Sequence, residues 1–167
     1  MVELEKILKK VDIIVSQTNI KGEIIYANPI FYRISGYPYG ELIGESHNLI
    51  RHKDMPKIIF QSLWEQLLSK KESYCFIKNQ SKNREFYWVF AYIRPSLNKD
   101  GTIRNYISTR RAISQKAKAI IEPFYANLLL LEEEYGLEAS KKSYEEFMKK
   151  NSYGDLSTNE IIYNIQY

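Results

Sequence analysis

The stretch Arg51-His52-Lys53-Asp54-Met55-Pro56 puts a guanidinium, an imidazole, an ammonium and a carboxylate in a row. It lies between the apolar pair Leu49-Ile50 and an amphipathic segment beginning at Pro56. Charged clusters usually occupy a solvated face, but this one borders two pieces of core and invites a polar ligand. A cation there suits phosphate oxygens, because charge-assisted hydrogen bonds are short and strong. Further along, Trp64 offers a ring for stacking and Asn79 an amide that donates and accepts. Each residue also has a plainer role. Asp54 can cap a helix starting at Met55, Trp64 lies on an apolar helical face and can be core, and His52 can be exposed.

Other chemistries find little support. No G-x-G-x-x-G follows a strand and no G-x-x-x-x-G-K-[ST] occurs, so neither dinucleotide nor P-loop binding is signalled. Cys75 is the single cysteine, which excludes an internal disulfide and a Cys-rich metal site, and with His47 and His52 it makes no convincing nucleophilic dyad. No metal site is expected. The net charge of +4 is spread over mixed-sign segments, which argues against nucleic acid. No run approaches the roughly 18 to 20 apolar residues of a membrane span, and MVELEKILKK lacks the apolar core of a signal peptide. A cytoplasmic protein is expected, one that does not itself span a membrane.

The elements that must position these residues can be read from periodicity. Residues 3–9 suggest a short amphipathic helix with Leu4, Ile7 and Leu8 on one face. Two β-prone runs within 12–27, separated at Lys21-Gly22, suggest a hairpin. Asn28 is a good N-cap, with Pro29 at the first helical position and Gly36 as the stop. A further short helix is expected over GELIG. PKIIFQSLWEQLLSKK places Ile59, Leu63, Trp64, Leu67 and Leu68 at helical spacing. Three β segments follow, roughly 73–79, 85–95 and 103–112, separated by SKNR and NKDG. The order is two strands, short helices, then three antiparallel strands, which is an α+β domain with a helix-covered sheet. From residue 115 helical character takes over, bent or restarted at Pro123, with a second helix after Gly136 and a capping-box pattern from Ser157 to Glu160.

The run IIYANPIFYRISGYPYGELIGESHNLIRHKDMPKIIFQSLW, with IKNQSKNREFYWV and IRNYISTRRAIS, resembles a PAS domain. It is most similar to the FAD-binding PAS domains of bacterial aerotaxis receptors of the Aer type and of soluble energy-taxis proteins such as CetB. The resemblance covers residues 11–114 and implies a five-stranded antiparallel sheet, order 2-1-5-4-3, with helices on one face. It divides the chain into an N-terminal helix over 1–10, the PAS domain, and a helical C-terminal extension over 115–167. By the same resemblance, Asn28, Arg51, His52, Asp54, Phe60 and Asn79 match positions associated with FAD, and Trp64 and Tyr87 match aromatic positions at the pocket. Arg84 stands where the family often has Gly.

What the resemblance implies is a non-enzymatic redox sensor for energy taxis that passes the state of its FAD to a membrane-bound chemoreceptor-like signalling protein. That partner would draw the chain to the inner membrane, and a homodimer is open. The alternatives are a cofactor-free PAS interaction module and, less favoured, a haem-binding gas sensor using His47 or His52. Blue-light adduct chemistry is not expected. The light-sensing branch carries its cysteine just after a GxN stretch, where this chain has Gly44-Glu45-Ser46-His47.

Overall fold

The structure is a computed structural model that describes residues 3–167. Its sheet is built from β1 (Ile14–Thr18), β2 (Ile24–Ala27), β3 (Ser73–Gln80), β4 (Phe86–Leu97) and β5 (Ile103–Ala112), antiparallel in the order β2-β1-β5-β4-β3. Between β2 and β3 come α1 (Pro29–Ser35), a 3-10 turn (His47–Ile50) and α2 (Lys57–Leu68). The extension forms α3 (Gln115–Tyr135), α4 (Leu137–Lys150) and α5 (Thr158–Gln166).

Local chemistry explains most of these boundaries. Asn28 caps α1 by accepting from the Phe31 N–H, and Gly36 ends it at φ 74°. Ser157 and Glu160 form the reciprocal capping box that opens α5. Pro123 lies inside α3, yet the helix is continuous and does not restart there.

Register decides which side chains meet. Ser16 pairs with Ser108, Ile93 with Ser108, and Asn79 with Tyr87. Because strand side chains alternate, Ser16, Tyr106, Ser108, Arg110, Tyr87 and Asn79 share the face covered by α1, the 3-10 turn and α2. Trp88, Phe90 and Tyr74 point the other way. The extension covers that second face: Tyr125 packs on Trp88, Tyr163 on Tyr74 and Phe90, and Tyr167 on Phe90. Ile121, Tyr125 and Leu128 of α3 are buried, so the apolar stripe of the extension is satisfied within the chain.

Two helices expected from the sequence are corrected. Residues 3–9 are not helical; Glu5 bridges Phe86 in parallel, Phe86 N–H donates to the Leu4 carbonyl and Lys6 N–H to the Phe86 carbonyl. These sheet-like bonds leave Leu4 and Ile7 exposed and bury Leu8, so no amphipathic helical face exists there. Met1 and Val2 of the expected helix lie outside the described residues. GELIG forms successive turns because Gly40 and Gly44 both adopt positive φ, 89° and 86°, which a helix cannot accommodate.

Candidate functional site

A cavity of about 90 Å³ lies between the inner sheet face, the 3-10 turn and α2. This is below the roughly 300 to 1,000 Å³ usual for small-molecule sites. The spacing of α2 turns Phe60, Leu63, Trp64 and Leu67 toward it, and Ile77, Ile93 and Tyr106 supply apolar surface from the sheet. Trp64 is 37% exposed and meets Tyr106 edge-on, with ring centroids 5.2 Å apart.

Arg51 stands on the wall directly after the 3-10 turn. Its backbone N–H donates to the Asn48 carbonyl, and Arg51 and Asn79 form an isolated antiparallel bridge. The guanidinium lies 4.1 Å from the Phe60 ring centroid, and Nη2 donates to the Met55 carbonyl at 3.4 Å. Burial draws its pKa down, and Glu132 opposes that shift. Asn79 is 3% exposed, and its Nδ2 finds no partner among the described residues.

The remaining sequence candidates lie off the cavity wall. Asn28 is engaged within the scaffold: Oδ1 accepts from the N–H groups of Val15 and Phe31, and Nδ2 donates to the Ile13 carbonyl. His52 is fully buried rather than exposed. Its Nδ1 accepts from the Asp54 N–H at 3.1 Å, which leaves Nε2 to donate to Glu3 at 2.9 Å. Asp54 is not a helix cap, since α2 begins at Lys57; its carboxylate accepts from Lys78 Nζ at 2.7 Å. Tyr87 is buried beside Asn79 in register, outside the lining, and burial pushes its phenol well up. The structure thus brings Arg51, Phe60, Trp64 and Asn79 together and commits Asn28, His52 and Asp54 to the scaffold.

Ser16, Thr18, His47, Asn48, Ser108 and Arg110 also line the wall, and none of them was a flavin contact expected from the sequence. Arg110 Nη2 donates to Ser16 Oγ at 2.5 Å and Nη1 to His47 Nε2 at 3.2 Å, while the guanidinium lies 4.4 Å from the Phe31 centroid. An arginine only donates, so His47 Nε2 is the acceptor and its lone pair is taken. Burial and the Arg110 charge push His47 down to about 3. The signal for this group was present as period-two spacing: Tyr106, Ser108 and Arg110 must share a face.

A PAS fold family matches residues 24–110, just over half of the chain. The chain belongs to the PAS family. It is 36% identical over 115 residues to the aerotaxis receptor of Escherichia coli (strain K12), covering 69% of this chain and 22% of that protein. It is 31% identical over 107 residues to the nitrogen fixation regulatory protein of Klebsiella oxytoca, covering 64% and 22%. The chain therefore spans about a fifth of the length of these curated relatives. Among solved structures, a light-oxygen-voltage domain studied with a flavin analogue superposes with a TM-score of 0.58 at 19% identity, covering 66% of this chain and 84% of that one. The LOV domain of the blue-light activated histidine kinase of Erythrobacter litoralis EL346 gives 0.56 at 17%, covering 63% and 99%. At these identities the structures attest the PAS/LOV fold. No helix among the described residues is long and apolar enough to cross a membrane.

Proposed function

We propose that this PAS domain is a flavin-based redox sensor that holds FAD in the cavity and passes its redox state to a membrane-bound chemoreceptor-like signalling protein. The observation that carries the reading is the polar pattern of the cavity. Asn79 Nδ2, Ser108 Oγ and Arg110 Nε are buried without hydrogen-bond partners among the described residues, and all belong to residues lining this one cavity. Buried polar groups are seldom left unpaired, so a ligand with several edge donors and acceptors fits this wall. A flavin has that shape: a planar ring for Trp64, Leu63 and Ile77, and an edge of carbonyls and ring nitrogens for Asn79 and Ser108. Arg51, near the rim with its charge intact, suits the diphosphate that distinguishes FAD from riboflavin.

When bound, the flavin supplies reversible electron transfer. The residues of this chain orient it, exclude water and register its charge. Asn79 couples ligand to backbone, because it bridges Arg51 at the edge of β3. A changed hydrogen bond at Asn79 alters both β3 and the Arg51-His52 segment, and through His52 it reaches Glu3 in the N-terminal segment. The name of the aerotaxis receptor relative supports a role in energy taxis, and the flavin analogue of the LOV neighbour supports the ligand class. The blue-light chemistry of the LOV group is not part of the reading. Cys75 lies off this cavity, and burial pushes its thiol up to about 12. His47, engaged by Arg110, offers haem no free nitrogen at Nε2.

The deciding experiment is an absorption spectrum of the purified protein, followed by mass identification of the released chromophore. Oxidised flavin released as FAD is expected. A colourless protein that takes up no flavin on reconstitution would return the chain to a cofactor-free interaction module.

A further inference from the structure

Arg110 is 1% exposed at the inner end of the cavity, in the central strand of the sheet. The titratable groups facing it are His47 from the 3-10 turn, Cys75 from β3 and Tyr87 from β4. None is a carboxylate, and the cavity lining contains no Asp or Glu. Arg110 donates to a neutral hydroxyl and a neutral imidazole, stacks on Phe31, and leaves Nε without a partner among the described residues. Burial of an ion costs several kcal/mol unless an opposite charge and further hydrogen bonds offset it. The ring face and two neutral acceptors offset only part of that cost. By contrast, the other well-buried cation among the described residues, Lys78, has its carboxylate in Asp54. The uncompensated charge at Arg110 is therefore a property of the ligand wall, not a habit of this fold.

Resting on the flavin reading above, we propose that Arg110 is the charge partner of the bound ring: it favours the reduced ring in its singly protonated, anionic form over the neutral oxidised ring. The balance is two electrons and one proton taken up per ring. The second proton, which a neutral wall would require for an uncharged product, is replaced by the guanidinium already in place. In the assay the electrons come from dithionite and the proton from buffer. Burial draws Arg110 down only to about 10, so it carries its charge throughout the neutral range. His47, Cys75 and Tyr87 all stay neutral there, because burial holds the first low and the other two high. The anion is thus matched by one fixed cation.

The test is a potentiometric titration of the FAD-loaded full chain against pH for wild type, Arg110→Gln and Arg110→Lys, with the visible spectrum recorded first. Wild type is expected to fall by about 30 mV per pH unit, the value for one proton per two electrons. Arg110→Gln is expected to favour the oxidised ring at least tenfold more, which is about 30 mV more negative, with roughly twice the pH slope. Arg110→Lys should keep the wild-type slope. Equal potential and slope in wild type and Arg110→Gln overturn the proposal while leaving the flavin reading intact. If Arg110→Gln fails to hold FAD, Arg110→Lys decides: retention with the wild-type slope supports the charge role, and loss there too makes Arg110 a packing residue and overturns it. A wild-type spectrum without flavin sinks the functional reading itself, and the proposal with it.

Discussion

Glu132 of α3 accepts the backbone N–H of Lys57, the first residue of α2, at 2.9 Å across 75 residues of sequence. Its other oxygen accepts from Ile58 at 3.0 Å. Pro56 at the N-cap has no side-chain acceptor, so the C-terminal extension supplies the cap of the helix that carries Phe60, Leu63, Trp64 and Leu67. The carboxylate also matches the positive end of the helix dipole. Glu132→Ala should cost about 0.5 to 2 kcal/mol in denaturant unfolding, and Glu132→Gln less, since one acceptor remains. Equal midpoints for wild type and Glu132→Ala would deny the cap any weight.

Arg51 and Asp54, neighbours in the same charged run, should behave differently. Arg51 faces the cavity, and Asp54 holds Lys78 behind it. Arg51→Ala is expected to weaken FAD about tenfold or more, because a hydrogen bond to a charged group contributes about 1.5 to 3 kcal/mol. Asp54→Asn, which strips the buried Lys78 of its carboxylate, should cost more than the roughly 1 kcal/mol of an exposed pair and leave affinity unchanged. Fluorescence titration of both variants decides; a large affinity loss in Asp54→Asn would return Asp54 to the ligand set.

The pattern of success and failure in the sequence has a physical basis. Strands and short helices were legible wherever the determining groups are neighbours: Asn28, Pro29 and Gly36 around α1, or Ser157 and Glu160 at α5. The Arg84 departure also left its mark, since Arg84 adopts φ 64°, the left-handed conformation that Gly takes without strain. The cap of α2 was illegible because its acceptor is Glu132, far along the chain, and Asp54 looked suitable only by proximity. Residues 3–9 have helical spacing, but Phe86 recruits their backbone into sheet-like bonds that no local pattern encodes. At the site, spacing put Trp64 on the apolar helical face, while Phe60 came from the family resemblance alone. Arg110 was not legible, because a charged residue in an alternating strand normally points to water, and its burial follows from the register of β5 against β1 and β4.

Truncation after residue 114 should be more damaging than the helical extension suggests at first sight. It would expose the Trp88, Phe90 and Tyr74 face, remove the Tyr125 hydroxyl from the Phe76 carbonyl and strip α2 of its cap. Poor solubility and a lowered melting temperature are expected, and FAD should weaken with the fold because binding and folding are linked. A truncated protein that melts like the full chain would make the extension an ornament.

His47 makes the last prediction one of pH. Its folded pKa is pushed from 6.5 to about 3, so the folded state refuses a proton that the unfolded chain accepts. The stabilisation from a neutral His47 is complete above about pH 6.5 and is lost progressively as pH falls toward 3. Protonation would set an imidazolium 3.2 Å from the Arg110 guanidinium and remove the acceptor that Nη1 uses, and this opposes the charged form beyond simple burial. The loss is at most about 1.4 kcal/mol per pH unit for one proton. Below about pH 4.5 carboxylates such as Asp54, held low by Lys78, add losses of the same sign, so the informative window lies between roughly 6.5 and 4.5. His47→Gln, which keeps an acceptor for Arg110 without a titrating ring, should flatten stability across that window and converge on the wild-type slope only below about pH 3. Parallel wild-type and His47→Gln curves from urea unfolding between these pH values would place His47 in a wetter, freer setting than its contact with Arg110 implies.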